Sequence, residues 1–290
     1  MDNLNLNNYI VKKTNTFKTK RVNGYNILYN ESTDANKKHV LFIHGLGGSS
    51  IGWRDIPDAL SEYFHTICVD LIGFGGSDKP KEGDYTINGF SKFIIDFLEQ
   101  AIELKQDEKI SIIGHSLGGY IATQVAIDNW DRVEKLVLID PSGKLNGPTP
   151  LLNQYLDAAK ETNPLLRYDK VKEVFEKMYA HPSRLLPIVI DLFNYTIEKS
   201  LARHVFELTF LNSTTTKVES ERLKQIDNIP CLIIWGKEDS LIPPEYANEF
   251  MKDLPNARLE IIGDSGHAPF VEKTALVFER IYSFLTTVRK

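Results

Sequence analysis

The sequence predicts an α/β fold: a mostly parallel, doubly wound, eight-stranded sheet with a block of helices inserted before its last two strands. Three observations lead there. Short, mostly apolar runs recur along the chain, as expected of strands buried on both faces. Helical patterns separate most of them, and strands alternating with helices imply right-handed crossovers. Residues 141–227 carry helix-like patterns only.

The elements follow in order. The start is polar and Asn-rich, without periodicity, and reads as a loose arm. Residues 17–22 and 26–31 alternate about Asn23-Gly24, a dipeptide suited to the positive φ angles of a tight hairpin. The apolar runs are 40–43, 66–69, 110–113, 136–139, 231–234 and 259–262. Three- and four-residue spacing predicts helices over 90–102 and 277–285, and a helical pattern follows Ser116 over 119–127. In the insertion, helices are expected over 151–160, 170–180, 185–195 and 201–210, punctuated by Pro148, Pro150, Pro164 and Pro182. The expected division is a core of residues 1–140 and 228–290 and a helical cap of residues 141–227.

Composition narrows the class. Of 290 residues 25% are charged and 42% hydrophobic, ordinary for a globular protein. The net charge of −5 and the lack of a basic run speak against nucleic acid as a partner. No apolar stretch approaches the roughly 18 residues of a membrane span, and the start of the chain does not read as a secretory signal. Cys68 and Cys231 lie in strand patterns and are expected as buried free thiols, so a cytoplasmic setting is the default.

Functional groups in an open α/β sheet gather beyond the carboxyl ends of its strands. The third strand is followed by His44-Gly45-Leu46-Gly47-Gly48, the fourth by Asp70 and a loop containing Gly73, Gly75 and Ser77. Gly114-His115-Ser116-Leu117-Gly118 follows the fifth, Asp140 the sixth, Gly236-Lys237-Glu238-Asp239 the seventh and Gly266-His267 the eighth. A serine between a buried strand and a helix sits on a sharp turn that lifts its hydroxyl out of the sheet. Such a hydroxyl needs a base, and an imidazole needs a carboxylate to fix its tautomer. The oxyanion formed on attack needs fixed donors. The Leu117 N–H, at the start of a helix, is one, and the Leu46 N–H in the glycine loop is the expected second.

Taken together, these motifs resemble the α/β-hydrolase family over residues 17–288, with the helical block where that family carries its cap. The resemblance implies Ser116 as nucleophile, His267 as base, Asp239 as acid, and Leu46 and Leu117 as oxyanion-hole amides. Glu238, Asp264 and Asp140 are the competing acids. His44 and His115 are expected to hold loops, and Asp70 and Asp78 to organise the segment around Gly73. His39, His65, His181 and His204 lack metal-ligand spacing, and the glycines at 73, 75 and 76 do not make a dinucleotide fingerprint. No metal or cofactor is therefore expected.

A serine at position 116 forms an acyl-enzyme, whereas dehalogenase and epoxide-hydrolase relatives carry aspartate there. The expected function is a carboxylesterase-like serine hydrolase acting on a small, apolar acyl substrate. Alternatives are a C–C bond hydrolase of ring-cleavage products, a lactonase, a cofactor-free haloperoxidase-like enzyme, or a small-molecule receptor using the same pocket. The C–C group usually has a proline in its oxyanion loop, which residues 44–48 lack. The cap aromatics and methionine (Tyr155, Tyr168, Phe175, Met178, Tyr179, Phe193, Tyr195, Phe206, Phe210) are expected mostly to pack, with a few facing the pocket.

Overall fold

The computed structural model describes residues 15–53 and 55–287, so the Asn-rich start lies outside the described residues. The chain opens with β1 (Thr16–Val22) and β2 (Tyr25–Glu31), an antiparallel hairpin paired from Thr16↔Glu31 to Val22↔Tyr25. Asn23 and Gly24 both take positive φ, 51° and 87°, as the tight turn requires. β3 (His39–Ile43), β4 (His65–Val69), β5 (Ile110–His115), β6 (Val133–Ile139), β7 (Cys231–Gly236) and β8 (Arg258–Ile262) run parallel. The sheet order is β1-β2-β4-β3-β5-β6-β7-β8.

This order places the site. The chain leaves β3 for β4 on one side, then returns to β5 on the other. β3 and β5 are hydrogen-bonded neighbours whose connections diverge, which opens a crevice at their carboxyl ends. The glycine turn follows β3 and the serine turn follows β5, so two distant motifs meet there.

Alternation along the strands builds two apolar layers. Leu41, Ile43 and Ile112 face α2 (Ile87–Gln100) and α3 (Leu117–Asp128), with Phe90, Phe97 and Ile121 in the same core. Val40, Phe42, Ile113 and Ile234 face the other way, onto Trp53, Ile56 of α1 (Asp55–Leu60), and Val277 and Phe278 of α11 (Thr274–Thr286). Residues Leu117–Ile127 of α3 are all buried, which is why its sequence is apolar around the whole helix.

Five helices separate β6 from β7: α4 (Pro150–Lys160), α5 (Pro164–Met178), α6 (Pro187–Ile197), α7 (Ala202–Thr214) and α8 (Ser220–Lys224). α5 begins six residues earlier than its apolar pattern, because Asn163 caps it by accepting from Leu165 N and Leu166 N, with Pro164 in the first turn. α1, α8, α9 (Ala247–Asp253) and α10 (Pro269–Glu272) are too short to show a helical period in sequence. One reading is corrected. The run 259–262 was expected to be buried on both faces, but β8 is the sheet edge and Ile261 is 45% exposed. The edge signal is charge, from Glu260 inside the run and Arg258 just before it.

Candidate active site

Ser116 sits between β5 and α3 at φ 54°, ψ −118°, a strained conformation for a non-glycine residue. Backbone bonds hold it there: its N–H donates to Ile139 O (3.0 Å), and its carbonyl accepts from Gly119 N (2.9 Å) and Ser142 N (3.1 Å). The neighbouring glycines are there for space. A Cβ on Gly114 would lie 2.2 Å from Gly118 O, and one on Gly118 would lie 2.1 Å from Ile43 O. Leu117 is buried at the first position of α3, where an N–H has no carbonyl one turn back.

His267 and Asp239 meet although they are separated by a strand and a helix. His267 Nδ1–H donates to Asp239 Oδ2 at 2.7 Å. Asp239 Oδ1 accepts from Leu241 N (2.8 Å) and Ile242 N (2.9 Å). That leaves His267 Nε2, which is buried and has no hydrogen-bond partner among the described residues. Ser116 and His267 line the same cavity.

The loop carrying His267 is tied to the end of α5. His267 N–H donates to Met178 O at 2.7 Å. The buried Glu272 carboxylate accepts from Gly266 N (2.7 Å) and Ala180 N (3.1 Å), bridging the same two segments. Burial raises the Glu272 pKa, against the lowering effect of those N–H donors. Asp264, at φ 59°, is exposed and binds Lys273, His181 and Arg184, which hold its carboxyl well below the usual range.

The competing carboxylates have other partners. Glu238 Oε2 accepts from Ser265 N at 3.0 Å. Asp140, at φ 43° and without solvent exposure, accepts from Gly236 N through Oδ1 at 2.8 Å. Its Oδ2 has no partner among the described residues. Burial, then the nearby Asp239 charge, pushes the Asp140 pKa well above the usual carboxylate range. His115 Nε2–H donates to His267 O at 2.7 Å, and burial together with His267 lowers its pKa well below the usual value.

The glycine loop after β3 closes as a turn, Gly48 N–H to Gly45 O at 3.0 Å. His44 Nε2 accepts from Leu71 N at 3.0 Å, so Nδ1 carries the proton and donates to Gly45 O at 2.8 Å. Asp70 joins two loops through Ser50 N (2.6 Å) and Gly76 N (2.7 Å), the organising role expected for it. Asp78 accepts from Asn26 N at 2.7 Å.

The cavity has a volume of about 180 Å³. Leu46, His115, Ser116 and His267 line it, and Leu152, Tyr155, Phe175, Phe193 and Leu241 are among its apolar walls. Among the described residues its lining holds no Lys, Arg, Asp or Glu. Of the aromatics flagged in sequence, Tyr155, Phe175, Tyr179 and Phe193 reach it, with Met178, whereas Tyr195 is 66% exposed. Sequence reasoning missed Glu272 and the bond from Tyr155 to Leu46 O, since both depend on contacts between distant segments.

Among the described residues, His115, Asp140 and His267 bring ligand-type atoms within 4.8 Å of one another. Of these groups, His115 Nε2 is engaged by His267 O and His267 Nδ1 by Asp239, whereas His267 Nε2 and Asp140 Oδ2 have no hydrogen-bond partner among the described residues. Cys68 and Cys231 are buried and unpaired, and burial pushes the Cys231 thiol up to about 12. No helix among the described residues is long and apolar enough to cross a membrane.

Comparison with known proteins agrees with this architecture. Lipase 1 of Psychrobacter immobilis is 32% identical over 255 residues, covering 86% of this chain and 77% of the lipase. A 2-hydroxy-6-oxononadienedioate/2-hydroxy-6-oxononatrienedioate hydrolase of Cupriavidus pinatubonensis is 26% identical over 246 residues, covering 81% and 82%. A meta-cleavage product hydrolase from Pseudomonas fluorescens IP01 superposes with a TM-score of 0.82 at 23% identity, covering 92% of this chain and 97% of that one. The family description "alpha/beta hydrolase fold" matches residues 38–274, and with most of its length inside that match the chain belongs to the alpha/beta hydrolase family, as a hydrolase.

Proposed function

We propose that the protein is a serine hydrolase that cleaves carboxylic esters of small, uncharged acyl groups through an acyl-enzyme. One observation carries the reading. The Ser116 turn and the His267–Asp239 pair converge on a single apolar cavity whose described lining has no charged side chain to receive a substrate carboxylate.

In this mechanism Ser116 Oγ attacks the ester carbonyl while His267 Nε2 takes its proton. Asp239 holds the ring by Nδ1 and stabilises the imidazolium. The oxyanion is received by the N–H groups of Leu46 and Leu117. His267 then protonates the leaving alcohol, and water, deprotonated by the same nitrogen, releases the acid. The helices α4–α7, as a cap, supply walls that exclude water and select the acyl group. An apolar cavity of about 150 Å³ accommodates benzene, so about 180 Å³ suits an acyl group of that size or slightly larger.

The kinship with C–C hydrolases supports a second reading, in which the substrate is a ring-cleavage dienoate. Such a substrate brings a carboxylate, and an unpaired buried charge is costly. The deciding experiment offers p-nitrophenyl butanoate and a ring-cleavage dienoate to the purified protein and to Ser116→Ala. Ester turnover abolished by Ser116→Ala, with the fold intact, is the expected result. Ester turnover that survives the substitution refutes the mechanism. Turnover of the dienoate alone favours the C–C reading, and negligible turnover with ligand-raised Tm favours a receptor.

A further inference from the structure

We propose that His115 is a positioning residue for the general base: presented from the strand end that carries Ser116, its Nε2–H holds the His267 carbonyl and so sets the imidazole against the nucleophile. The proposal rests on the reading of Ser116 as nucleophile and His267 as base.

The two residues come from distant parts of the sheet. Ser116 follows β5 and His267 follows β8, with β6 and β7 lying between those strands. Held through the sheet alone, their separation would collect the play of three strand-to-strand steps. His115 spans the gap directly. It is the last residue of β5, next to Ser116, and its Nε2–H donates to His267 O at 2.7 Å.

That bond completes the hold on His267. The N–H of residue 267 belongs to the peptide before its Cα, and its carbonyl belongs to the peptide after. The N–H donates to Met178 O at 2.7 Å, and the carbonyl accepts from His115. Both peptides that flank the Cα are therefore anchored, which fixes the direction of the Cα–Cβ bond. Asp239 then fixes the ring through Nδ1 at 2.7 Å. Without the His115 bond the following peptide is free to rotate, and the imidazole can drift from Ser116 while it stays bonded to Asp239.

The residue type suits the place. A carbonyl can only accept, so the His115 proton is on Nε2 and Nδ1 is bare. The ring packs on His267 and Phe270, both at centroid distances of 4.8 Å, with Trp53 at 6.3 Å. Nδ1 faces the glycine loop, where a Cβ on Gly45 would lie 3.1 Å from it. Burial, then the neighbouring His267, lowers the His115 pKa well below the usual value, so the ring donates without carrying charge. A cation here would oppose the imidazolium that His267 becomes when it takes the Ser116 proton.

His115→Leu removes the donor, and His115→Gln places an amide N–H at similar reach. Each is assayed for kcat and KM on p-nitrophenyl butanoate and for the rate at which a fluorophosphonate labels Ser116, alone and combined with His267→Ala. In His115→Leu, kcat and labelling should fall about three- to tenfold, the size of one net hydrogen bond, with KM unchanged. His115→Gln should recover most of that loss. On the residual labelling left by His267→Ala, His115→Leu should have no further effect, because it acts through the base. A loss that persists in the His267→Ala background overturns the proposal, since it places the defect in the Ser116 turn itself. Unchanged kcat and labelling overturn it too, as does a change confined to KM and Tm, which a merely structural role would give. If the leucine variant does not fold, His115→Asn, one carbon too short to reach the carbonyl, is read by the same outcomes. A wild-type protein that is not labelled at Ser116 refutes the nucleophile reading instead. The low-field proton resonance of His267 Nδ1–H then decides the hold on the ring: shifted or broadened without the His115 donor supports it, and unchanged overturns it.

Discussion

Asp140→Asn separates the two acidic residues at the carboxyl edge of the sheet. In the wild type, Asp140 is fully buried, gives one oxygen to Gly236 N, and leaves the other without a partner among the described residues. Burial and the neighbouring Asp239 raise its pKa. A folded-state pKa above the unfolded value contributes stability that is complete below the unfolded pKa and is lost as pH rises through the folded one. The wild type should therefore lose ~1.4 kcal/mol per pH unit across that window on account of this single proton. The asparagine side chain introduced by the substitution does not titrate, keeps an oxygen for Gly236 N and tolerates the positive φ of this position. Urea unfolding of both proteins between about pH 5 and pH 8 reads the effect. The stability of Asp140→Asn relative to wild type should climb with pH until the folded pKa is passed. A difference that stays flat would refute the reasoning. Ester turnover provides the second half. Asp140→Asn should stay close to wild type, whereas Asp239→Asn should lose roughly ten-thousandfold, the cost of amidating the acid of such a triad. Equal losses would move the acid role to Asp140.

Two further outcomes follow from the packing. Glu272→Ala leaves Gly266 N and Ala180 N without their acceptor, so unfolding free energy should fall by about 2–5 kcal/mol and turnover should drop as the His267 loop loosens; denaturant unfolding within error of wild type would contradict the bridge. Phe193→Ala removes a ring that touches Tyr155, Phe175 and Phe206 and walls the cavity. It should cost about 3–5 kcal/mol and shift the preferred p-nitrophenyl ester toward longer acyl chains, and an unchanged chain-length profile would remove Phe193 from the specificity-determining wall.

The strands β3 to β7 were legible because burial on both faces leaves short, mostly apolar runs in the sequence. The hairpin was legible because Asn23-Gly24 carries the turn's positive φ angles locally. β8 is an edge strand and not an interior one, and the charged Glu260 inside the run 259–262 is what distinguishes it in sequence. In the insertion, α4 was close to its expected bounds, whereas α5 was extended by an N-cap that periodicity does not register.

The sequence by itself determined the chemistry on offer: a serine on a strand-to-helix turn, glycine loops, and acids and a histidine after late strands. It did so because each motif is a local demand of backbone geometry. Only the tertiary structure decided partners. Asp239 rather than Glu238, Asp264 or Asp140 bonds His267, because the loops after β7 and β8 bring those two side chains to 2.7 Å. Likewise Tyr155 reaches Leu46, and Glu272 joins Gly266 to Ala180, across spans of sequence that carry no mutual signal. Partner choice depends on where chain segments come to rest against each other, and that is a property of the packed whole.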